Sequence, residues 1–146
     1  NVTTNMYEGV PERFPDLEFV MQGAGLGFVP YHAYRLDDHY LELGYELPAL
    51  SQLPSAYLSE SFHWATQPMD QSGQSLPYFP AMVDMVGPDN VVFASDLPHA
   101  VTDTPGTLVD RLAAYLPADD LEAVLGGNAE RLYELYRTGE QEGVVR

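Results

Sequence analysis

The chain has 146 residues, and its 22 acidic against six basic side chains give a formal charge of −16 at pH 7. So acidic a surface repels phosphate and excludes nucleic acid and anionic membrane as partners; without cysteine, a disulfide framework or thiolate metal site is excluded too. A hydrophobic content of 45% with 12% aromatics supplies a core and argues against disorder.

Residues 3–14 read as a helix that Thr3 or Thr4 can cap and that Gly9 and Pro11 interrupt. After a Pro15-Asp16 turn, Leu17-Glu18-Phe19-Val20-Met21 reads as a buried strand, and Gly23-Ala24-Gly25-Leu26-Gly27 as the loop beyond it. Residues 29–43 return to helical spacing, with Pro30 in the first turn. Residues 44–60 form a connection rich in Pro, Ser and Tyr, with a short helix near 54–58. SFHWAT (61–66) is the second strand, 67–75 a polar loop, 78–86 a helix and 87–90 a turn. Val91-Val92-Phe93-Ala94-Ser95 is the third strand and ends on Asp96. The remainder is helical over about 105–115, 118–125 and 128–137; Gly126-Gly127 separates the last two, and Asn128 serves as an N-cap. Apolar strands alternating with helices specify a parallel sheet in a single α/β domain spanning 1–146.

The segment VVFASDLPH (91–99) carries the best chemical signal. A buried strand delivers Asp96 to its carboxyl end, where parallel α/β folds gather their ligands and catalytic groups. A carboxylate there suits a metal ligand or general base; it equally suits an Asp that caps the next turn. His99 follows in a turn and can approach the same site or face solvent. Gln22, at the end of the first strand, points near the same pocket. His63, in the second strand between aromatics, reads as structural, with substrate contact as the alternative. Arg35 can pair a substrate carboxylate or form an ion pair near Asp37 and Asp38. His32 and His39, seven residues apart, lack zinc spacing and read as a surface face. The glycines after the first strand depart from the dinucleotide fingerprint, whose sixth position is Phe28 here, and instead allow a tight turn.

Three blocks carry a family resemblance: GVPERFPDLEFVMQGAGLGFVPYHAYRLDDHY, VVFASDLPH and LGGNAERLYEL. In this order they resemble the amidohydrolase-2 branch of the amidohydrolase superfamily, which includes aminocarboxymuconate-semialdehyde decarboxylase. The resemblance implies a TIM-type (β/α)8 barrel with a divalent metal, commonly zinc, at its C-terminal mouth. It makes the three strands the sixth, seventh and eighth of that barrel. Asp96 then corresponds to the last-strand metal ligand or proton carrier, His99 belongs to the same loop, and Gln22 stands where many members carry the His of an H-G-G motif, or a Glu.

Two departures accompany it. The first-strand H-x-H pair and the fifth-strand metal His have no counterpart, and Gln22 is a neutral amide that orients a water or substrate but cannot act as a base. One Asp cannot build a catalytic zinc site, which needs about three protein ligands. The chain is therefore expected to be the C-terminal part of a longer barrel, since it lacks an initiator Met and starts inside a helix. A free-standing three-stranded half-sheet would expose two unpaired edges and seek its missing half or self-associate.

The expected function is a metal-dependent hydrolase or decarboxylase of a small carboxylate or cyclic substrate, with Asp96, Gln22 and His99 as catalytic residues and Arg35 and His63 as substrate-binding ones. The alternative is a catalytically inactive barrel segment that serves as a binding or interaction module. The N-terminus lacks the basic and apolar regions of a signal peptide, so a cytoplasmic location is expected. Because the chain has neither Lys nor Ile, its acidity also matches halophilic proteins, although a GC-rich genome would give the same bias. On the halophilic reading, uncompensated carboxylates loosen the fold at low salt, and thermal melts rise steeply from dilute buffer to molar KCl; a flat series rejects that reading.

Overall fold

The three apolar runs pair side by side. The computed structural model describes residues 2–46, 50–69, 78–99 and 104–133. Strands β1 (Phe19–Met21), β2 (Phe62–Ala65) and β3 (Val91–Val92) form one parallel sheet in that order, with Phe19 opposite Phe62 and Trp64 opposite Val91. Parallel neighbours need long crossovers. Helices α1 (Val2–Tyr7) and α2 (Val10–Arg13) precede β1, and α3 (Val29–Leu43) and α4 (Pro54–Glu60) join it to β2. Helix α5 (Tyr78–Val86) lies between β2 and β3, and α6 (Pro105–Tyr115), α7 (Ala118–Glu122) and α8 (Asn128–Tyr133) follow. The mixed α/β reading holds. Most of the expected 67–75 loop and the end of the 128–137 helix lie outside the described residues. No helix among the described residues is long and apolar enough to cross a membrane.

Side chains alternate across a strand, so each strand offers two faces. One face carries Phe19, Met21, Phe62, Trp64 and Val91, which pack with Leu36, Leu58, Val83, Leu108 and Leu112 of the helices. Phe19 stacks on Phe62 at 4.5 Å between ring centroids, and Phe28 meets Trp64 edge-on at 5.6 Å. Burying each such side chain contributes about 1.5–3 kcal/mol. The other face carries Val20, His63, Ala65 and Val92.

Local chemistry sets several helix boundaries as the sequence suggests, although Thr3 and Thr4 lie inside α1 rather than capping it. Gly9, at φ 62°, makes the break between α1 and α2, and proline opens α2 and α3. The polar face of α3, expected at the surface, is instead half-buried between helices. His32 Nε2 lies 3.1 Å from Thr3 Oγ1, His39 Nδ1 lies 3.5 Å from Tyr7 Oη, and Asp37 Oδ1 accepts the Ser55 N–H at the start of α4 at 2.8 Å. Burial disfavours the imidazolium of His32 and lowers its pKa below the usual 6.5.

The C-terminal helices depart most from expectation. Gly126-Gly127 does not separate them: the chain continues through a π-helical turn, Ala123–Gly127, into α8. Asn128 is helical (φ −67°, ψ −43°) and is not an N-cap. Its N–H donates five residues back to Ala123 O, leaving the Val124 carbonyl without its usual i+4 donor. Val124 O instead accepts the Phe93 N–H at 3.0 Å. The Asn128 side chain, 2% exposed, donates through Nδ2 to Pro88 O and Val91 O, each at 2.7 Å.

These bonds also occupy part of the outer edge of β3. Thr66 N–H donates to Val92 O, so the backbone groups of Val91 and Phe93 point away from β2. Val91 O and Phe93 N–H are taken by the C-terminal helical segment and Val91 N–H by Pro88 O, and regular pairing ends at Val92 rather than Ser95. At the opposite edge, Phe19 N–H donates to Ser61 O, so Val20 points outward. Among the described residues no backbone bond reaches it there.

Candidate active site at the carboxyl ends of the strands

Parallel pairing aligns the three strand ends, and short contacts tie together the loops that leave them. Thr66 Oγ1 donates to Ala94 O at 3.0 Å and accepts the Ala94 N–H at 3.1 Å, joining the ends of β2 and β3. Gly25, at φ 72°, brings the loop after β1 so close to the loop after β2 that a Cβ there would stand 3.2 Å from Pro68 O. The Gln67-Pro68 and Leu97-Pro98 peptide bonds are cis.

Asp96 stands beyond the end of β3 with φ 57°, a left-handed conformation that Asp tolerates better than most residues. Its carbonyl accepts the His99 N–H at 3.1 Å, closing a turn. Its Oδ1 lies 4.0 Å from His99 Nε2; the Asp96 side chain is 32% exposed and that of His99 72%. Among the described residues the Asp96 carboxylate accepts no backbone N–H, so it does not cap this turn. The structure thus brings Asp96 and His99 together at the strand ends. Gln22 stands exposed just past the end of β1, on the far side of β2.

The two other sequence candidates sit elsewhere. His63 pairs in register with Val20 in the middle of the sheet, and its Nε2 lies 3.0 Å from Glu18 Oε2. Arg35 lies within α3, where Nη1 donates to Asp38 Oδ2 at 2.7 Å and Nη2 to His39 Nε2 at 2.9 Å. It makes the ion pair that the sequence set beside the substrate role. No contact among the described residues joins Arg35 or His63 to Asp96.

Gln67 is a buried polar group at the strand ends that sequence reasoning missed, because it reads there as the first residue of a polar loop. It is 1% exposed, its Oε1 accepts the Met69 N–H at 2.7 Å, and its Nε2 has no partner among the described residues. A buried amide left in that state costs about 1–3 kcal/mol. The only sequence signal is its place just past the end of an apolar strand.

The described residues do not by themselves fit a metal centre. They contain no group of three or more His, Asp or Glu side chains able to hold an ion. Asp96 is a suitable oxygen donor, but about three protein ligands are needed.

The sequence profile of the amidohydrolase family matches residues 5–135. No curated protein matches. Among solved structures, 5-carboxyvanillate decarboxylase LigW from Sphingomonas paucimobilis is 27% identical, with 89% of this chain aligned to 37% of that one at a TM-score of 0.67. Amidohydrolase map2389c from Mycobacterium avium subsp. paratuberculosis K-10 is 23% identical over 90% of this chain and 32% of its own, at a TM-score of 0.74. Dihydroxybenzoic acid decarboxylase from Polaromonas sp. JS666, with bound manganese and the inhibitor 2-nitroresorcinol, is 21% identical over 94% and 40%, at 0.73. The chain thus spans about a third to two fifths of the length of the structures it resembles.

Proposed function

Because the chain belongs to the amidohydrolase family, we propose that it supplies the sixth to eighth strands of a (β/α)8 barrel whose complete form is a divalent-metal decarboxylase or hydrolase of small arene carboxylates. The observation that carries this is Asp96 at the carboxyl end of the last of three parallel strands. The open edge of β1 at Val20 is where a preceding strand would add. Two similar solved structures, a 5-carboxyvanillate decarboxylase and a dihydroxybenzoic acid decarboxylase, support the substrate class. Manganese, bound in the Polaromonas enzyme, stands beside zinc as the candidate metal. The acidic surface fits a salt-rich cytoplasm.

When bound, a divalent metal would polarise the substrate carboxylate. This chain's own contribution is narrower. Decarboxylation breaks the bond between ring and carboxylate, releases carbon dioxide and places a proton on the ring carbon. Asp96, which is partly exposed and whose carbonyl closes a turn, would carry that proton or donate an oxygen to the metal. His99 stands beside it, and Gln22 orients substrate through a neutral amide.

The test is release of carbon dioxide from 2,6-dihydroxybenzoate by the complete gene product supplied with manganese or zinc. Turnover that needs the metal supports the enzyme. Neither turnover nor bound metal under any loading supports the second reading, an inactive barrel segment serving as a binding module. The amide at Gln22, where many members carry His, is the observation that favours that reading.

A further inference from the structure

Among the described residues His63 Nδ1, Trp64 Nε1 and Gln67 Nε2 are buried without a partner, and Gln67 is the one that stands past the end of its strand. Its carbonyl oxygen is anchored by the Met69 N–H at 2.7 Å. The carboxamide is planar, so anchoring its oxygen restricts the direction of Nε2, whose two N–H donors have no partner among the described residues. A side chain 1% exposed has no bulk water to turn to. Buried donors are otherwise almost always satisfied.

The position of Gln67 says what kind of group it awaits. The residue leaves the central strand of the sheet. On one side Gly25 presses the loop after β1 against Pro68; on the other Thr66 is bonded to Ala94, two residues before Asp96. Gln67 therefore lies between the loops that carry Gln22 and Asp96. An amide N–H₂ donates only, so its partner is an acceptor oxygen. In a chain of charge −16, with a carboxylate at the same strand ends, this neutral donor is restricted by a backbone bond and can meet an anionic acceptor without adding to the repulsion.

We propose that Gln67 is a substrate-positioning residue whose Nε2 donates to a carboxylate oxygen of an arene carboxylate held at the strand ends. This rests on the reading of the chain as part of such an enzyme and adds the group that selects the carboxylate. A donor of restricted direction lowers the ordering cost of binding, and the gain is larger when the acceptor is charged.

The experiment compares the complete gene product with its Gln67→Glu and Gln67→Met variants, using 2,6-dihydroxybenzoate and resorcinol as probes in calorimetric titrations. The first probe carries the carboxylate and the second lacks it. Glu keeps the oxygen that anchors to the Met69 N–H while replacing the donor with a negative charge; Met removes the donor without adding charge. Circular dichroism establishes that each variant folds. The expected result is an affinity for 2,6-dihydroxybenzoate about 10–100-fold weaker in both variants, the loss of a hydrogen bond to a charged group, with resorcinol affinity unchanged. A merely structural role would weaken both probes together, and that outcome overturns the proposal. Equal binding of 2,6-dihydroxybenzoate by wild type and variants overturns it while leaving the enzyme reading intact. Absence of binding by the wild type overturns both. If Gln67→Glu fails to fold, Gln67→Met alone decides by the same comparison.

Discussion

Asp96→Asn lowers turnover of the complete protein by about 10²–10⁴-fold without disturbing its fold, the range by which a positioned acid–base group accelerates proton transfer. The substitution suits this site because it is close to silent structurally. Asn adopts left-handed backbone as readily as Asp, so φ 57° is kept. The side chain is one third exposed and, among the described residues, caps no turn, so no buried bond is lost. What changes is charge and the capacity to hold a proton. Steady-state rates on 2,6-dihydroxybenzoate with metal content measured on the same sample separate the two roles. Lost turnover with metal retained assigns Asp96 to proton transfer, and loss of both assigns it to the metal. Unchanged turnover removes Asp96 from the site.

Asn128→Ala lowers the unfolding free energy by about 2–4 kcal/mol, because two buried carbonyls lose their donor together. For a chain of this size each kcal/mol moves the melting temperature by about 2–4 °C. Alanine's better helix propensity recovers well under 1 kcal/mol. Asn128→Asp is the sharper control. An N-cap side chain acts through an acceptor oxygen, so Asp would serve there as well as Asn. Asp would keep the bond that Asn128 Oδ1 accepts from Arg131 Nη2 at 2.9 Å, but the two buried bonds run through Nδ2, a donor that Asp lacks, and Asp brings a negative charge up to two carbonyl oxygens. Urea melts should therefore find the Asn128→Asp variant at least as unstable as the alanine variant. A wild-type melt for Asn128→Asp would overturn this account of the β3 edge.

The same residue shows where the sequence stops being legible. Helices α3, α5 and α6 can be read to within a residue because periodicity, Pro at the first turn and glycine stops are local signals. So can Asp96, because an apolar run points at it and Pro98 ends the run. Asn128 looks like a cap because Gly-Gly precedes it, yet its partners lie 40 and 37 residues back. The third strand reads as five residues from its composition, but pairing defines a strand, and Phe93 finds its partner in a helix. His32 and His39 read as solvent-facing because nothing local announces that Thr3 and Tyr7 lie alongside. Gln67 is hidden for a related reason: polarity marks it as loop, and only the packing of two neighbouring loops makes it buried.

Trp64 is the only tryptophan in the chain and is 1% exposed, between the stacked Phe62 and the edge-on Phe28. It sits on the central strand, opposite Met21 on one side and Val91 on the other. Those pairings close long loops, so they form late compared with any single helix. The protein thus contains one indole fluorophore whose emission follows assembly of the sheet. Far-ultraviolet dichroism follows the helices instead, and the delay between the two signals times the step from local to long-range order.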